Sequence, residues 1–258
     1  MIRLLQIPAP VLGFLWVAIV VGLSVCGLLV FRKAVSHTRF EGANAVSGTM
    51  FQLAGVLYAV LVAFVVVVVW EQFSDAEDAS TLEATAITDL LRDSAALPAE
   101  SQAAVESSLL AYTRHVIDVE YPRMHRGESI DEQSDELNAV WEAYLAVEPQ
   151  THNQIAFFDQ AIQRLNDLTA DRKMRVSTGD AAVPGELWVL LIGGAGVVMA
   201  FTFLFGTEDQ ALHAISVGLT AALLAFVVYL IFALEHPYVG GLSVEPTAYA
   251  NVLEQWTG

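Results

Sequence analysis

The chain of 258 residues is poor in cysteine, in basic side chains and in charge of any kind. Its only cysteine, Cys26, excludes a disulfide framework, a zinc set and a redox pair. Lys and Arg number 12 against 29 Asp and Glu, a formal charge of -17 that argues against nucleic acid as a partner. Only 16% of the residues are charged and 55% are hydrophobic. The scarcity is concentrated in four stretches, residues 4–31, 42–70, 187–207 and 210–234, which hold no Asp, Glu, Lys or Arg over 28, 29, 21 and 25 positions. About 20 apolar residues on a helix cross a bilayer, so each stretch can span and a wholly soluble protein is excluded.

The first run is longer than the apolar core of a signal peptide. It ends in Phe31-Arg32-Lys33 without a small-residue cleavage pattern, so it reads as a retained span. The spans are expected at about residues 9–31, 48–70, 186–205 and 211–234. After the second, no Gly or Pro interrupts the chain before Ser94, and a helix over residues 48–94 would rise about 70 Å. Apolar spacing at Leu82, Ala86 and Leu90 leaves the emerged end of that helix with an apolar face in need of partners.

Helical spacing then recurs over residues 101–124, with Pro122 ending the helix or sitting in its last turn, over 131–147, and from near Pro149 to Val176. Residues 184–185 open the third span, and a short turn at 206–209 leads to the fourth. The fold class is therefore an all-α membrane protein. Two transmembrane hairpins, residues 1–70 and 184–234, flank an extramembrane helical bundle over 71–183, and residues 235–258 form a tail.

Arg32, Lys33 and Arg39 lie between the first two spans, against Arg3 alone before the first. The positive-inside rule then makes the short-loop side cytoplasmic and the middle domain extracytoplasmic. Arg172, Lys173 and Arg175 near the third span point the other way, but long domains translocate largely regardless of charge.

The middle domain carries 22 acidic and 8 basic residues, densest at Glu128, Asp131, Glu132, Asp135 and Glu136. Such a run is either a solvated helix face or a mouth that concentrates cations. It lacks the ligand pattern of a calcium loop. The histidines His37, His115, His125, His152, His213 and His236 form no metal-binding spacing. The histidines read first as surface or core residues, and His213, in the first turn of the fourth span, has the alternative of an ionisable group lining a watery path. There is no G-x-S-x-G, no phosphate-binding loop and no dinucleotide fingerprint, so no catalytic residue, metal or cofactor is expected and the chain reads as a non-enzyme. In the second span Gly48, Gln52, Gly55, Ala59 and Ala63 recur at steps of four, three, four and four. That stripe is either close helix packing or, with the polar-tipped Gln52 and Tyr58, a pore wall. Gly193, Gly194 and Gly196 in the third span read as helix packing.

The stretch Gly55-Val56-Leu57-Tyr58-Ala59-Val60-Leu61-Val62-Ala63-Phe64, followed by Val69-Trp70-Glu71-Gln72-Phe73, resembles the bestrophin-like integral membrane family. The likeness continues through Glu83-Ala84, Asp89-Leu90-Leu91-Arg92, Tyr112 and Glu120-Tyr121-Pro122. It extends to Phe201-Thr202-Phe203-Leu204-Phe205-Gly206 and to His236-Pro237-Tyr238-Val239-Gly240, where Tyr238 stands for the usual Phe. The resemblance implies the family's bestrophin relatives as a guide: oligomeric anion channels with two spans, a cytosolic helical insertion and two more spans. Their Pro-Phe-Gly turn precedes an acidic calcium clasp. Here Gly241-Leu242-Ser243-Val244-Glu245 follows the turn, which is not an acidic cluster. The family-motif positions carried over are Glu83, Arg92, Tyr112, Glu120, Pro122, Pro237, Tyr238 and Gly240.

Two functions from different classes follow. One is an oligomeric ion channel in the cell membrane, with Gln52, Gly55, Tyr58, Ala59 and Ala63 along the path, the bilayer, inorganic ions and further copies of the chain being its partners. The other is a membrane-anchored helical scaffold or sensor, in which Arg92 pairs with a carboxylate to fix the bundle.

Overall fold

The structure is a computed structural model and describes residues 9–35, 44–180 and 182–257. Arg3, His37 and Arg39 lie outside the described residues. Those described form nine α-helices and one π-helical turn, with no strand among them. The helices are α1 (Ala9–Ala34), α2 (Asn44–Ser94), α3 (Ala99–His115), α4 (Tyr121–His125), α5 (Asp135–Leu145), α6 (His152–Gly179), α7 (Gly185–Phe203), α8 (Gln210–Leu234) and α9 (Thr247–Thr257). Four of them, α1, α2, α7 and α8, are long and apolar enough to cross a membrane, and α2 continues unbroken for 51 residues. This is the expected all-α class. The chain divides into two units, one of residues 7–71 and 182–235 and the other of residues 72–181 and 236–258.

In the first unit the helices meet where side chains are smallest. A Cβ on Gly13 would lie 2.8 Å from the Tyr229 ring, and one on Gly194 would lie 2.6 Å from the Tyr58 ring, so both glycines are the condition for a ring to pack on the neighbouring backbone. The Trp16 indole donates to the Ala225 carbonyl at 3.0 Å. Polar groups fasten the short-loop end. The Asn44 amide exchanges two hydrogen bonds with the backbone of Gly206, at 2.7 and 2.8 Å, and Arg32 donates to the Thr207 carbonyl at 2.8 Å. At the other end the buried Glu235 carboxylate accepts from the Val183 N–H at 2.8 Å and from the Trp188 indole at 3.2 Å.

The second unit is a helical bundle around Ile87, Leu90, Leu109, Tyr112, Val140 and Leu165, all fully buried. Local chemistry sets its helix starts. Helix α5 begins at Asp135, not at Asp131, because the Ser134 hydroxyl accepts from the Leu137 N–H while the Asp131 and Glu132 carbonyls are turned to Arg172. Helix α6 begins after Thr151, which forms a reciprocal cap with Gln154.

Between α3 and α4 the chain widens into the π turn Val116–Glu120, and Pro122 follows in the first turn of the short α4. Tyr112, Val116, Glu120 and Met124, each four residues apart, are all buried. A strict α-helix advances 1.1 turns per four residues, so the wider turn cancels the drift and keeps all four facing the core. The tail departs from expectation in one respect: Tyr238, Val244, Tyr249 and Val252 belong to the core of this bundle, because their apolar bodies complete it.

Replacing Gly194 by Ala is expected to destabilise the protein by about 1–3 kcal/mol through the clash with Tyr58. Thermal unfolding of G194A, Y58A and the double variant tests this, and the double variant should lose less than the sum of the two.

Candidate functional site

Four charged side chains meet in the interior of the second unit. Arg175 is fully buried and its guanidinium spans two carboxylates. Nε donates to Glu83 Oε2 at 2.7 Å and Nη2 to Glu83 Oε1 at 3.2 Å and Glu120 Oε2 at 2.6 Å. Its remaining nitrogen faces the Met124 sulfur at 3.4 Å. Arg172, one turn earlier on α6, donates to both oxygens of Glu120 at 2.7 and 2.8 Å and to the carbonyls of Asp131 and Glu132. Two anions and two cations cancel, and fork geometry satisfies most of the donors, which is the condition under which charge persists in a dry interior.

Tyrosines enclose the cluster. Tyr112 donates to Glu83 Oε1 at 2.5 Å, and Tyr121 donates to Ser80 at 2.9 Å. The Arg175 guanidinium lies 5.7 Å from the Tyr121 ring centre and 5.9 Å from that of Tyr249, and Arg172 lies 5.9 Å from that of Tyr112. These are cation–π distances. Burial alone would raise the Glu120 carboxyl, but the Arg175 and Arg172 guanidiniums outweigh it and hold the group below its ordinary value of 4.5. Burial, followed by the nearby Glu83 carboxylate, pushes the Tyr112 hydroxyl well up.

The cluster reaches the surface on one side. A cleft of about 580 Å³ is lined by His115, Glu120, Arg123, Asp131, Glu136 and Arg172, among others. His115 Nδ1 stands 2.9 Å from Glu136, and its Nε2 stands 3.7 Å from Glu120. Asp131, Glu132, Asp135 and Glu136 of the densest acidic run line the cleft, whereas Glu128, outside its lining, pairs with Arg126 and Arg123. Among the described residues no group of three metal-ligating side chains occurs.

Of the family-motif positions, Glu83, Tyr112 and Glu120 converge directly on Arg175 or on its carboxylate partner. Tyr238 seals the neighbouring space: its hydroxyl donates to the Ala76 carbonyl at 3.0 Å and its ring meets Tyr121 edge-on at 5.9 Å. The added oxygen of a tyrosine at this position therefore has a buried partner. The turn that delivers it is closed by Val239 N–H to His236 O and Val244 N–H to Pro237 O, with Gly240 at φ 90, a conformation that favours glycine.

Arg92 departs from its expected role. Its side chain is 61% exposed and, among the described residues, its ionic partner is Asp89, at 3.6 Å on the same helix, whereas Arg164 makes the tertiary pair with Asp93. In the sequence Arg172 and Arg175 count only as charges near a span. The signal that marks them is their place on α6, continuing the buried stripe of Leu165, Leu168 and Val176.

On α2, Gln52, Ala59 and Ala63 are exposed, and Gly55 is half-buried with open space where a Cβ would stand. Tyr58 faces elsewhere, buried against Gly194, and its hydroxyl has no hydrogen-bond partner among the described residues. Gly193 and Gly196 have open space around them, unlike Gly194. His213 is not on an open path: it is buried between Thr202 and Arg32.

Four helices long and apolar enough to cross a membrane, with a helical bundle built round a neutral buried ion cluster, point to a class of helical membrane proteins. The model of the bestrophin-like domain matches residues 18–249, and the chain belongs to the bestrophin-like family. Two solved structures share its fold. A crystal structure of a membrane protein carrying one substitution aligns with a TM-score of 0.67 at 14% identity, over 93% of this chain and 96% of that one. A bacterial bestrophin homologue from Klebsiella pneumoniae, also mutated, aligns with a TM-score of 0.65 at 13% identity over the same shares. No curated protein matches the chain.

Replacing Arg175 by Met leaves the buried Glu83 carboxylate without its cation, while Glu120 keeps Arg172, and is expected to cost about 3–5 kcal/mol, whereas R92A should change stability by less than about 0.5 kcal/mol. Chemical unfolding in micelles measures both. Glu120 has a lowered folded value, so its contribution is fully present above the ordinary 4.5 and is lost as pH falls through the lower folded value. Comparing the acid limb of wild type with that of E120Q isolates it.

Proposed function

We propose that the chain is one subunit of an oligomeric ion channel whose pore is lined by α2. The observation that carries this reading is the face of α2 bearing Gln52, Gly55, Ala59 and Ala63, where three side chains are exposed and the glycine opens on empty space. Smallness at Gly194 serves the Tyr58 ring, but smallness at Gly55 serves no neighbour among the described residues. A narrow conduit, or a second copy, supplies the missing reason. Tyr58 stands outside the path. Family membership supports the channel class, and the acidic surface of the extramembrane unit suits a cation-attracting mouth.

The reading includes an orientation, with the extramembrane unit outside the cytoplasm, from the charge bias of the short loops. Gln133, exposed in the cleft wall, is a labelling site: Q133C on a C26S background should react with an impermeant thiol reagent in intact cells, and protection would reverse the orientation.

The channel is tested with purified protein in a planar bilayer under a KCl gradient. Reversal near the potassium potential is expected, and A59W and A63W should each lower the conductance severalfold. Reversal near the chloride potential would replace the cation path by an anion path. A silent bilayer holding folded, inserted protein would replace the channel by the membrane-held scaffold.

A further inference from the structure

Pro122 is the only proline between Ala99 and His125, and it stands two residues after Glu120. It has no N–H to give, and in a regular α-helix its ring would meet the carbonyl of Asp118, four residues back. The turn before it is wide. The Tyr121 N–H bonds the Val116 carbonyl, where a regular turn would take that of Ile117. The last donor before the proline therefore reaches back five residues, and the wide turn ends where the chain runs out of donors. Ile117, Asp118 and Val119 lie on its partly or fully exposed side, so a carbonyl that loses its partner there meets water.

The wide turn cannot simply disappear. It takes up about one residue more than an α turn, so its loss would carry the following segment round by roughly 100°. Arg123 would then replace Met124, whose sulfur faces Arg175 at 3.4 Å, and a third guanidinium would enter beside two buried ones. It can, however, slide. Moved forward past Tyr121, it would keep Met124 in place but leave a regular turn at Glu120, whose inward place would pass toward Val119. Val119 is 40% exposed and has no charge to offer Arg172 and Arg175. That slide needs an N–H on residue 122 and clear space over the Asp118 carbonyl, and a proline denies both.

We propose that Pro122 is a positioning residue for the buried ion cluster: it pins the π turn beneath Glu120, so that the carboxylate faces Arg172 and Arg175 before any charge calls it there. The arginines hold the same turn from the other side, through the carboxylate itself. The two-residue spacing of Glu120 and Pro122, both family-motif positions, then has one physical reason. The carboxylate must lie within the wide turn and the proline just beyond it. This inference needs no conduction and stands apart from the channel reading.

The test removes the charge and leaves the backbone to decide. In E120Q/R172M one charge of each sign is lost, and the pair of Arg175 with Glu83 stays balanced. Crystal structures of the full chain with these two substitutions, once with Pro122 and once with P122A added, show the acceptor of the Tyr121 N–H. With proline it should remain the Val116 carbonyl, and with alanine it should shift by one residue to Ile117, with residue 120 turned out of its place. A turn that stays on Val116 with alanine would overturn the proposal, as would one that shifts to Ile117 with proline still present. Where E120Q/R172M does not fold, E120M/R172M supplies the uncharged background for the same two structures.

Discussion

The bundle outside the spans depends on one constraint: the charge of Arg175, placed where no water reaches, must be cancelled in place. A lone buried guanidinium is untenable, and a single carboxylate would leave donors open. Glu83 and Glu120 share it, and Arg172 restores neutrality by taking up the rest of Glu120. These residues come from α2, from the π turn and from α6, so no two of the elements can settle without the third. Several irregularities follow from that demand. The π turn keeps Glu120 inward, in step with Tyr112 and Val116 before it. The segment before α5 stays unwound because its carbonyls complete Arg172. The chain returns at its end to lay Tyr238 and Tyr249 over the cluster, which excludes water and strengthens every contact beneath.

The membrane-type unit is built on the opposite economy. Its helices carry almost no charge, so contact between them is a matter of how closely backbones approach, and polar fastening is concentrated at the ends. At one end Arg32, Asn44 and His213 fasten the turn between α7 and α8. At the other Glu235 holds the start of α7. Between them, Gly13 and Gly194 admit a ring of the same chain, and Gly27, Gly48 and Gly218 lie in ordinary contact with neighbouring side chains, while Gly55, Gly193 and Gly196 meet nothing among the described residues.

Much of the fold was legible because hydropathy and helix period are local signals. The fourth span, Gln210–Leu234, and the unbroken run of α2 could be read from the absence of charge, Gly and Pro. The ion cluster was half legible. Glu83, Tyr112 and Glu120 stood out by resemblance, but their partners did not, because an arginine near a span counts toward topology before it counts toward a core. Position on a helix was the missing evidence: Arg172 and Arg175 occupy the places where the stripe of Leu165 and Leu168 demands apolar residues. Tyr58 failed for a related reason. About one hundred degrees of helix separate it from Ala59, so a tyrosine adjacent in sequence to the stripe packs on another helix.

The same logic separates the acidic character of the bundle from its interior. The buried cluster takes two residues of each sign and leaves the acidic excess untouched, so that excess must lie at the surface, as the cleft wall at Asp131 and Glu136 does. A field of this kind acts on mobile ions outside the protein and contributes nothing to holding the core together. The turn after Pro237 bears on the same point. Where an acidic clasp would follow, Val244 enters the core and its N–H closes the turn onto Pro237, so the segment is committed to packing. Acidic side chains stand instead in the cleft beside Glu120. There a carboxylate of the buried cluster stands 3.7 Å from the partly exposed His115, so that the cleft adjoins the cluster.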